Sequence, residues 1–381
     1  MKKTISIILS LVLILGLFAG CSPKADDTSK DAEPKETETE QSESDQKETS
    51  DKLTVGFVYV GPIGDGGWTY AHDQGRKYLE EKLDVETLYV ESVPDQDASI
   101  ESEIRNMVDQ GAEVIFATSF GYMDYVEKMS KEYPEVKFYH CSGYKQTDNM
   151  ANYFGRIYQP RYLSGIVAGM KTETDKIGYV AAFPIPEVIR GINAFTLGAK
   201  SVNPDVTVEV NWTSTWYNPA KEKESAVALL DKGVDVIAQH QDTAGPQQAA
   251  EEYDAFSIGY NTSMKEMAPE AYMTAPVWNW GPYYVDQVEK VMNDEFESHS
   301  YWKGLEDNIV KLDELTELAP EGSKEKIEKA KKDIVNGDFE VFQGPIKDQD
   351  GNIKVKEGES LSDKEMLEID WFVEGVKGSI E

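Results

Sequence analysis

The sequence predicts an α/β protein built of two doubly wound α/β lobes, and three observations predict it. From Leu53 onward, short β-branched and aromatic runs alternate with helical stretches, the pattern of parallel strands covered by helices on both faces. The alternation restarts after Tyr139. In each half a strand of the same type follows a glycine-stopped helix: Gly111-Ala-Glu-Val-Ile-Phe116 in the first and Gly233-Val-Asp-Val-Ile-Ala238 in the second.

The elements follow in order. Leu53–Val60 reads as a buried strand bounded by Gly61 and Pro62, and Gly64, Gly66 and Gly67 form the loop after it. Trp68–Leu83 is helical, Val85–Val90 a strand, Ile100–Gln110 a helix, Val114–Ala117 a strand, Met123–Glu132 a helix and Val136–Tyr139 a strand. The second half runs helix Tyr162–Met170, strand Lys176–Ala182, helix Pro186–Val202, strand Val206–Trp212, helix Ala220–Lys232 and strand Val234–Ala238. Helix Pro246–Tyr253 and strand Ala255–Gly259 complete it. The tail adds helices Trp280–Asn293 and Lys324–Asn336 and a hairpin turn over Lys347–Asn352 with Asp350-Gly351 at its tip. If the late segments return to the first half, more than one crossing joins the lobes, and hinge closure around a ligand is the common use of such a cleft.

The N-terminal residues predict the compartment. Lys2 and Lys3 precede an apolar stretch, Ile5–Phe18, that is short for a bilayer span and suited to a signal peptide over residues 1–20. It ends in Leu17-Phe-Ala-Gly-Cys21, which resembles the bacterial lipobox and predicts lipid on Cys21 and anchoring to the bilayer on the extracytoplasmic face. Residues 21–52 are almost entirely Asp, Glu, Lys, Ser, Thr, Gln and Pro, too little apolar surface to repay ordering, and read as a disordered acidic tether. The remaining length, about 330 residues, suits two domains. A formal charge of −32 excludes nucleic acid as a partner. Of the two cysteines, Cys21 is assigned to lipid, which leaves Cys141 without a disulfide partner.

Enzyme signatures are absent. The loop Gly61-Pro-Ile-Gly-Asp-Gly-Gly67 matches neither a P-loop nor a dinucleotide fingerprint, and no nucleophile elbow occurs. His72, His140, His240 and His299 are scattered without metal-ligand spacing, so no metal and no cofactor is expected. What stands out is aromatic residues at loop positions: Trp68 after the first strand, Phe120 after Ser119 at the end of the third, Trp216 after Val206–Trp212, and Trp278 and Trp280 around the start of a late helix. Ligands of open α/β sheets sit beyond the carboxyl ends of the strands. With Asp65, His240, Asp242 and Asn261 these residues predict a flat ring held between aromatics and fixed by a few hydrogen bonds.

Several segments together resemble the basic membrane lipoprotein family, the purine nucleoside receptors of ABC uptake systems. They are Val55-Gly-Phe-Val58 with Gly61–Trp68, Ala117-Thr-Ser-Phe-Gly121, Tyr158-Gln-Pro-Arg-Tyr-Leu-Ser-Gly165, Ile185-Pro-Glu-Val-Ile-Arg-Gly-Ile-Asn-Ala-Phe195, Trp216-Tyr-Asn-Pro-Ala-Lys221 and Ile258-Gly-Tyr-Asn261 followed by Met273-Thr274. The resemblance implies a type I periplasmic-binding-protein fold, ABC permease subunits as partners and no enzymatic activity. It implies a first lobe of residues 53–154 with 262–297 and a second of 155–261 with 298–381, with crossings near Phe154, Asn261 and Ser298. It implies a purine stacked between Trp68 and Trp216, with Asp65 reading the base edge. Asn261 and Trp278 stand where the family's nucleoside receptors tend to carry Asp and Lys, groups suited to a ribose, so a free base such as adenine is expected before a nucleoside. A sugar-type binding protein, an amino-acid receptor, and an enzyme or signalling regulator on the same fold are the alternatives.

Overall fold

The first predicted strand is buried along its whole length as TVGFV, Thr54–Val58 (β1), because its β-branched and aromatic side chains meet helices on both faces of the sheet. The structure is a computed structural model that describes residues 52–380. The expected signal segment, Cys21 and the tether up to Asp51 lie outside the described residues.

The first half continues with α1 (Trp68–Lys82), β2 (Glu86–Val90), α2 (Ser99–Asp109), β3 (Ala112–Ala117), α3 (Met123–Glu132), β4 (Lys137–Cys141) and β5 (Met150–Gly155). The second holds α4 (Tyr158–Lys171), β6 (Lys176–Ala181), α5 (Pro186–Lys200), β7 (Thr207–Trp212), α6 (Pro219–Leu230), β8 (Val236–His240), α7 (Gly245–Glu252) and β9 (Phe256–Ile258). Then come β10 (Tyr272–Thr274), β11 (Pro276–Trp278), α8 (Trp280–Met292), β12 (Ser300–Lys303), β13 (Val310–Leu312), α9 (Ser323–Asn336), β14 (Ile346–Lys347), β15 (Ile353–Val355), α10 (Asp363–Leu367) and β16 (Val376–Lys377).

Two six-stranded sheets result, in the orders β12-β5-β4-β3-β1-β2 and β10-β9-β8-β6-β7-β16. Neighbouring strands are parallel throughout both. The fold is thus the α/β, doubly wound type that the alternation predicts, with the two lobes of the periplasmic-binding-protein type that the resemblance implies. The strand β5 is an addition to the predicted set. Its residues, Met150-Ala-Asn-Tyr-Phe-Gly155, follow β4 without an intervening helix, so the alternation gave no cue, yet all six are buried.

Sheet membership differs from the expected lobe boundaries at two of three crossings. The segment 262–297 was expected wholly in the first lobe, but β10 pairs with β9 in the second sheet. The segment from residue 298 was expected in the second lobe, but β12 pairs with β5 in the first sheet. The chain therefore changes sheets after Gly155, after Thr274 and after Lys303. The last two connections are tied together, since β11 and β13 pair antiparallel between them. Three-residue strands carry too little periodicity to be read from sequence. The tail completes the second lobe: β16 extends the sheet beside β7, and α9 packs on α4. The predicted turn at Asp350-Gly351 lies between the paired strands β14 and β15.

Candidate functional site

The residues that follow the strands converge on one cleft between the lobes. Val60 and Trp68 come after β1, Ser119 and Phe120 after β3, and Ser142 after β4. From the other lobe come Glu187 in the first turn of α5, Trp216 after β7, His240 and Asp242 at the end of β8, and Tyr260 and Asn261 after β9. They line one common cavity between the lobes. Parallel strands all point their carboxyl ends at this cleft, which is why residues from seven separate loops meet there.

Seven of the ten sequence-predicted site residues line it: Trp68, Ser119, Phe120, Trp216, His240, Asp242 and Asn261. Three do not. Asp65 is buried below the loop, where Oδ1 accepts from the Gly67 and Tyr70 amides at 2.8 and 2.9 Å and Oδ2 from the Thr69 amide at 2.9 Å. It satisfies the free N–H groups at the start of α1, so both oxygens are engaged, and the acids lining the cleft are Asp242 and Glu187. Trp278 and Trp280 lie behind Trp68. Their rings stack on each other at 4.5 Å and 14°, and His72 stacks on Trp280 at 4.6 Å and 11°. The Trp68 ring stands edge-on to all three, at 5.5 Å from Trp278, 5.8 Å from Trp280 and 4.4 Å from His72. These rings support Trp68, whose Nε1 also donates to the Thr118 carbonyl at 2.7 Å.

Val60, Ser142, Glu187 and Tyr260 join the lining without having been singled out. Glu187 and Tyr260 fall inside the segments Ile185–Phe195 and Ile258–Asn261 quoted above, and their positions shortly beyond predicted strands were the available signal. The indole of Trp216 is half-buried and packs edge-on against Phe183 at 5.1 Å.

The polar groups are interlocked. Asn261 Nδ2 donates to Asp242 Oδ1 at 3.1 Å, and Asn261 Oδ1 accepts from Trp278 Nε1 at 2.9 Å. Ser119 Oγ donates to Asp95 Oδ2 at 2.6 Å. His240 Nε2 lies 3.5 Å from Glu187 Oε1. Burial holds the His240 imidazole down at about 4 against the opposing pull of Glu187, so it is neutral at pH 7. Burial, and after it the nearby Asp65 and Glu222 carboxylates, push Asp242 well above the usual carboxylate range. Among the described residues no cluster of His, Cys, Asp and Glu has the form of a metal site.

A family profile described as ABC transporter substrate-binding protein PnrA-like matches residues 52–342. The chain is 42% identical over 326 residues to a purine-binding protein of Brucella abortus (strain 2308), covering 85% of this chain and 93% of that protein. It is 39% identical over 331 residues to a putative ABC transporter glucose-binding protein of Haloferax volcanii, covering 86% of this chain and 81% of that protein. A solved ABC transporter solute-binding protein from Aeropyrum pernix K1 shares the fold, with a TM-score of 0.67 at 20% identity over 76% of this chain and 92% of that one. The interlobe cleft, the paired parallel sheets and the profile match agree: the chain belongs to the PnrA-like family of ABC transporter substrate-binding proteins, whose partners are a small-molecule ligand and an ABC permease and which are not enzymes.

Proposed function

We propose that this protein captures a purine in the interlobe cleft, a free base such as adenine before a nucleoside, and presents it to its permease from a lipid anchor at Cys21. One observation carries the ligand class: indoles from opposite lobes, Trp68 and Trp216, line the same cavity together with the polar side chains of His240 and Asp242. A flat heteroaromatic ring uses both kinds of surface. The Brucella abortus relative, named for purine binding, supports the same class.

The preference for a base rests on what a ribose would find. Its hydroxyls lose water when the cleft closes, and each left unpaired costs about 1–3 kcal/mol. Asn261 spends its amide on Asp242 and its oxygen on Trp278, and Trp278 is buried under Trp68. Neither offers the charged partner that a sugar hydroxyl would favour.

A sugar is the second reading, favoured by the 39% identity to the putative glucose-binding protein and by the service tryptophan gives to sugar faces. Calorimetry with adenine, hypoxanthine, adenosine, guanosine and glucose tests both. Adenine is expected to bind most tightly. Adenosine binding about tenfold tighter than every base, roughly 1.4 kcal/mol, would replace the base by a nucleoside. Saturable binding of glucose with no binding of any purine would establish the sugar reading instead.

A further inference from the structure

Behind the cleft wall formed by His240 lies a second group of polar atoms that ligand recognition as described does not use. Arg161 on α4 is fully buried, as is Tyr179 on β6, and His240 is 3% exposed. Arg161 Nη1 donates to the Gln239 carbonyl at 2.6 Å. Arg161 Nε, Tyr179 Oη and His240 Nδ1 have no hydrogen-bond partner within the protein. All three lie around one point. A β-carbon on Gly191 of α5 would lie 3.6 Å from Arg161 Nε, 3.6 Å from His240 Nδ1 and 3.9 Å from Tyr179 Oη. Glycine at 191 leaves that space open.

We propose that Arg161, Tyr179 and His240 hold an internal water over Gly191, and that this water fixes His240 as its Nε2–H tautomer, so that the cleft presents a hydrogen-bond donor beside the Glu187 carboxylate. The chemistry of the donors decides the tautomer. A guanidinium only donates. A water that accepts from Arg161 Nε–H and from the Tyr179 hydroxyl and donates to His240 Nδ1 satisfies all three groups at once. Three partners are what a buried water ordinarily has. A proton on Nδ1 would instead turn a third donor toward a water that accepts only two, leaving Tyr179 to accept from the water with its own hydroxyl proton unreceived. The imidazolium form is disfavoured by burial, which keeps His240 neutral at pH 7.

With Nδ1 committed as an acceptor, Nε2–H points toward the cleft, where Glu187 Oε1 lies 3.5 Å away. The wall then reads a ring edge that carries an acceptor next to a donor. Adenine offers this with a ring nitrogen beside its amine, and hypoxanthine with its carbonyl beside a ring N–H. An edge carrying acceptors alone would set one of them against the Glu187 carboxylate. Arg161 is on this account a positioning residue: it touches no ligand and acts through His240. The ligand side of the argument rests on the purine reading, whereas the tautomer is a property of the protein alone.

Two measurements test it. Long-range proton–nitrogen NMR of the histidine-labelled protein at pH 7, with the signal identified by loss in His240→Gln, should show Nε2 protonated and Nδ1 bare. A protonated Nδ1, or an imidazolium, would overturn the proposal. Gly191→Ala puts a methyl in the space at ordinary contact distances inside a helix, where alanine is favoured, so the variant should fold. It should lose the wild-type His240 signature and weaken adenine binding about tenfold, roughly 1.4 kcal/mol. Arg161→Lys should keep more of both than Arg161→Met. Wild-type tautomer and affinity in Gly191→Ala would refute the water site, and the same result in Arg161→Met would remove the role of Arg161. If no purine binds the wild type, the purine reading fails, and the NMR arm alone decides this inference.

Discussion

Gly67 of the first lobe and Asp242 of the second touch across the cleft: a β-carbon on Gly67 would overlap the Asp242 carbonyl oxygen. Beside this contact the Thr262 hydroxyl donates to the Gly66 carbonyl. The lobes thus meet backbone to backbone, one residue from Trp68 on one side and at a cavity-lining acid on the other. A side chain at 67 has nowhere to yield, because its obstacle is main chain.

Gly67→Ala should therefore hold the lobes apart. Small-angle scattering should show the wild type contracting on addition of adenine and the variant failing to contract, with affinity reduced at least tenfold, about 1.4 kcal/mol. Equal contraction in both proteins would mean that the seam does not govern closure.

The two clamp tryptophans should respond differently to truncation. Stacking on a base is worth about 1–3 kcal/mol by alanine substitution, so Trp68→Ala and Trp216→Ala should each weaken adenine binding roughly ten- to a hundred-fold in calorimetry. Trp68 also covers Trp278, Trp280 and His72 at 4.4–5.8 Å, whereas Trp216 packs on Phe183 at 5.1 Å and more loosely on His240 at 6.3 Å. Urea unfolding should accordingly show a loss of stability for Trp68→Ala that exceeds the loss for Trp216→Ala. Unaltered affinity in either variant would assign that ring to packing.

Stability should fall as pH rises, through the acids below the cleft. Burial pushes Asp65 up to about 6 despite its backbone hydrogen bonds, and burial with Asp65 and Glu222 pushes Asp242 higher than usual. A carboxyl raised in this way contributes fully below its unfolded value, about 3.9. That contribution is lost as pH rises through the folded value, because the native state then gives up a proton that the unfolded state has already lost. Asp242→Asn keeps an oxygen for Asn261 and cannot ionise. Its Tm should exceed that of the wild type by about 2 °C or more at pH 8, and the gap should shrink at pH 5. A gap independent of pH in scanning calorimetry would contradict the assignment.

Cys21→Ser should release the protein from the membrane fraction into the periplasm or the medium, as loss of an acyl anchor demands. Quantitative retention on the membrane would refute lipid attachment at that residue.

Much of the site was legible because strand ends are legible. Trp68, Phe120, Trp216 and His240 each follow a run of β-branched and aromatic residues, and a parallel sheet sends every such position to one edge. Trp278 and Trp280 looked equivalent in sequence, but Trp278 ends β11, which pairs with β13 outside the two large sheets, and Trp280 opens α8. Asp65 looked like a reader of the ligand because it is an acid in a glycine loop. Its local role, receiving the free amides of α1, has the same residue type and spacing.

The sequence by itself determined the alternation of strands and helices, the division into two α/β halves, the aromatic character of the cleft and the family. All of these are written in periodicity and in contiguous segments. Tertiary structure decided which sheet receives β10 and β12, because strands of three and four residues are chosen by the partner they pair with. It also decided which aromatic rings line the cleft and which support Trp68, and it brought Arg161, Tyr179 and His240 around Gly191 from four separate elements. Contacts between residues distant in the chain leave no local pattern, since each depends on where another segment comes to rest.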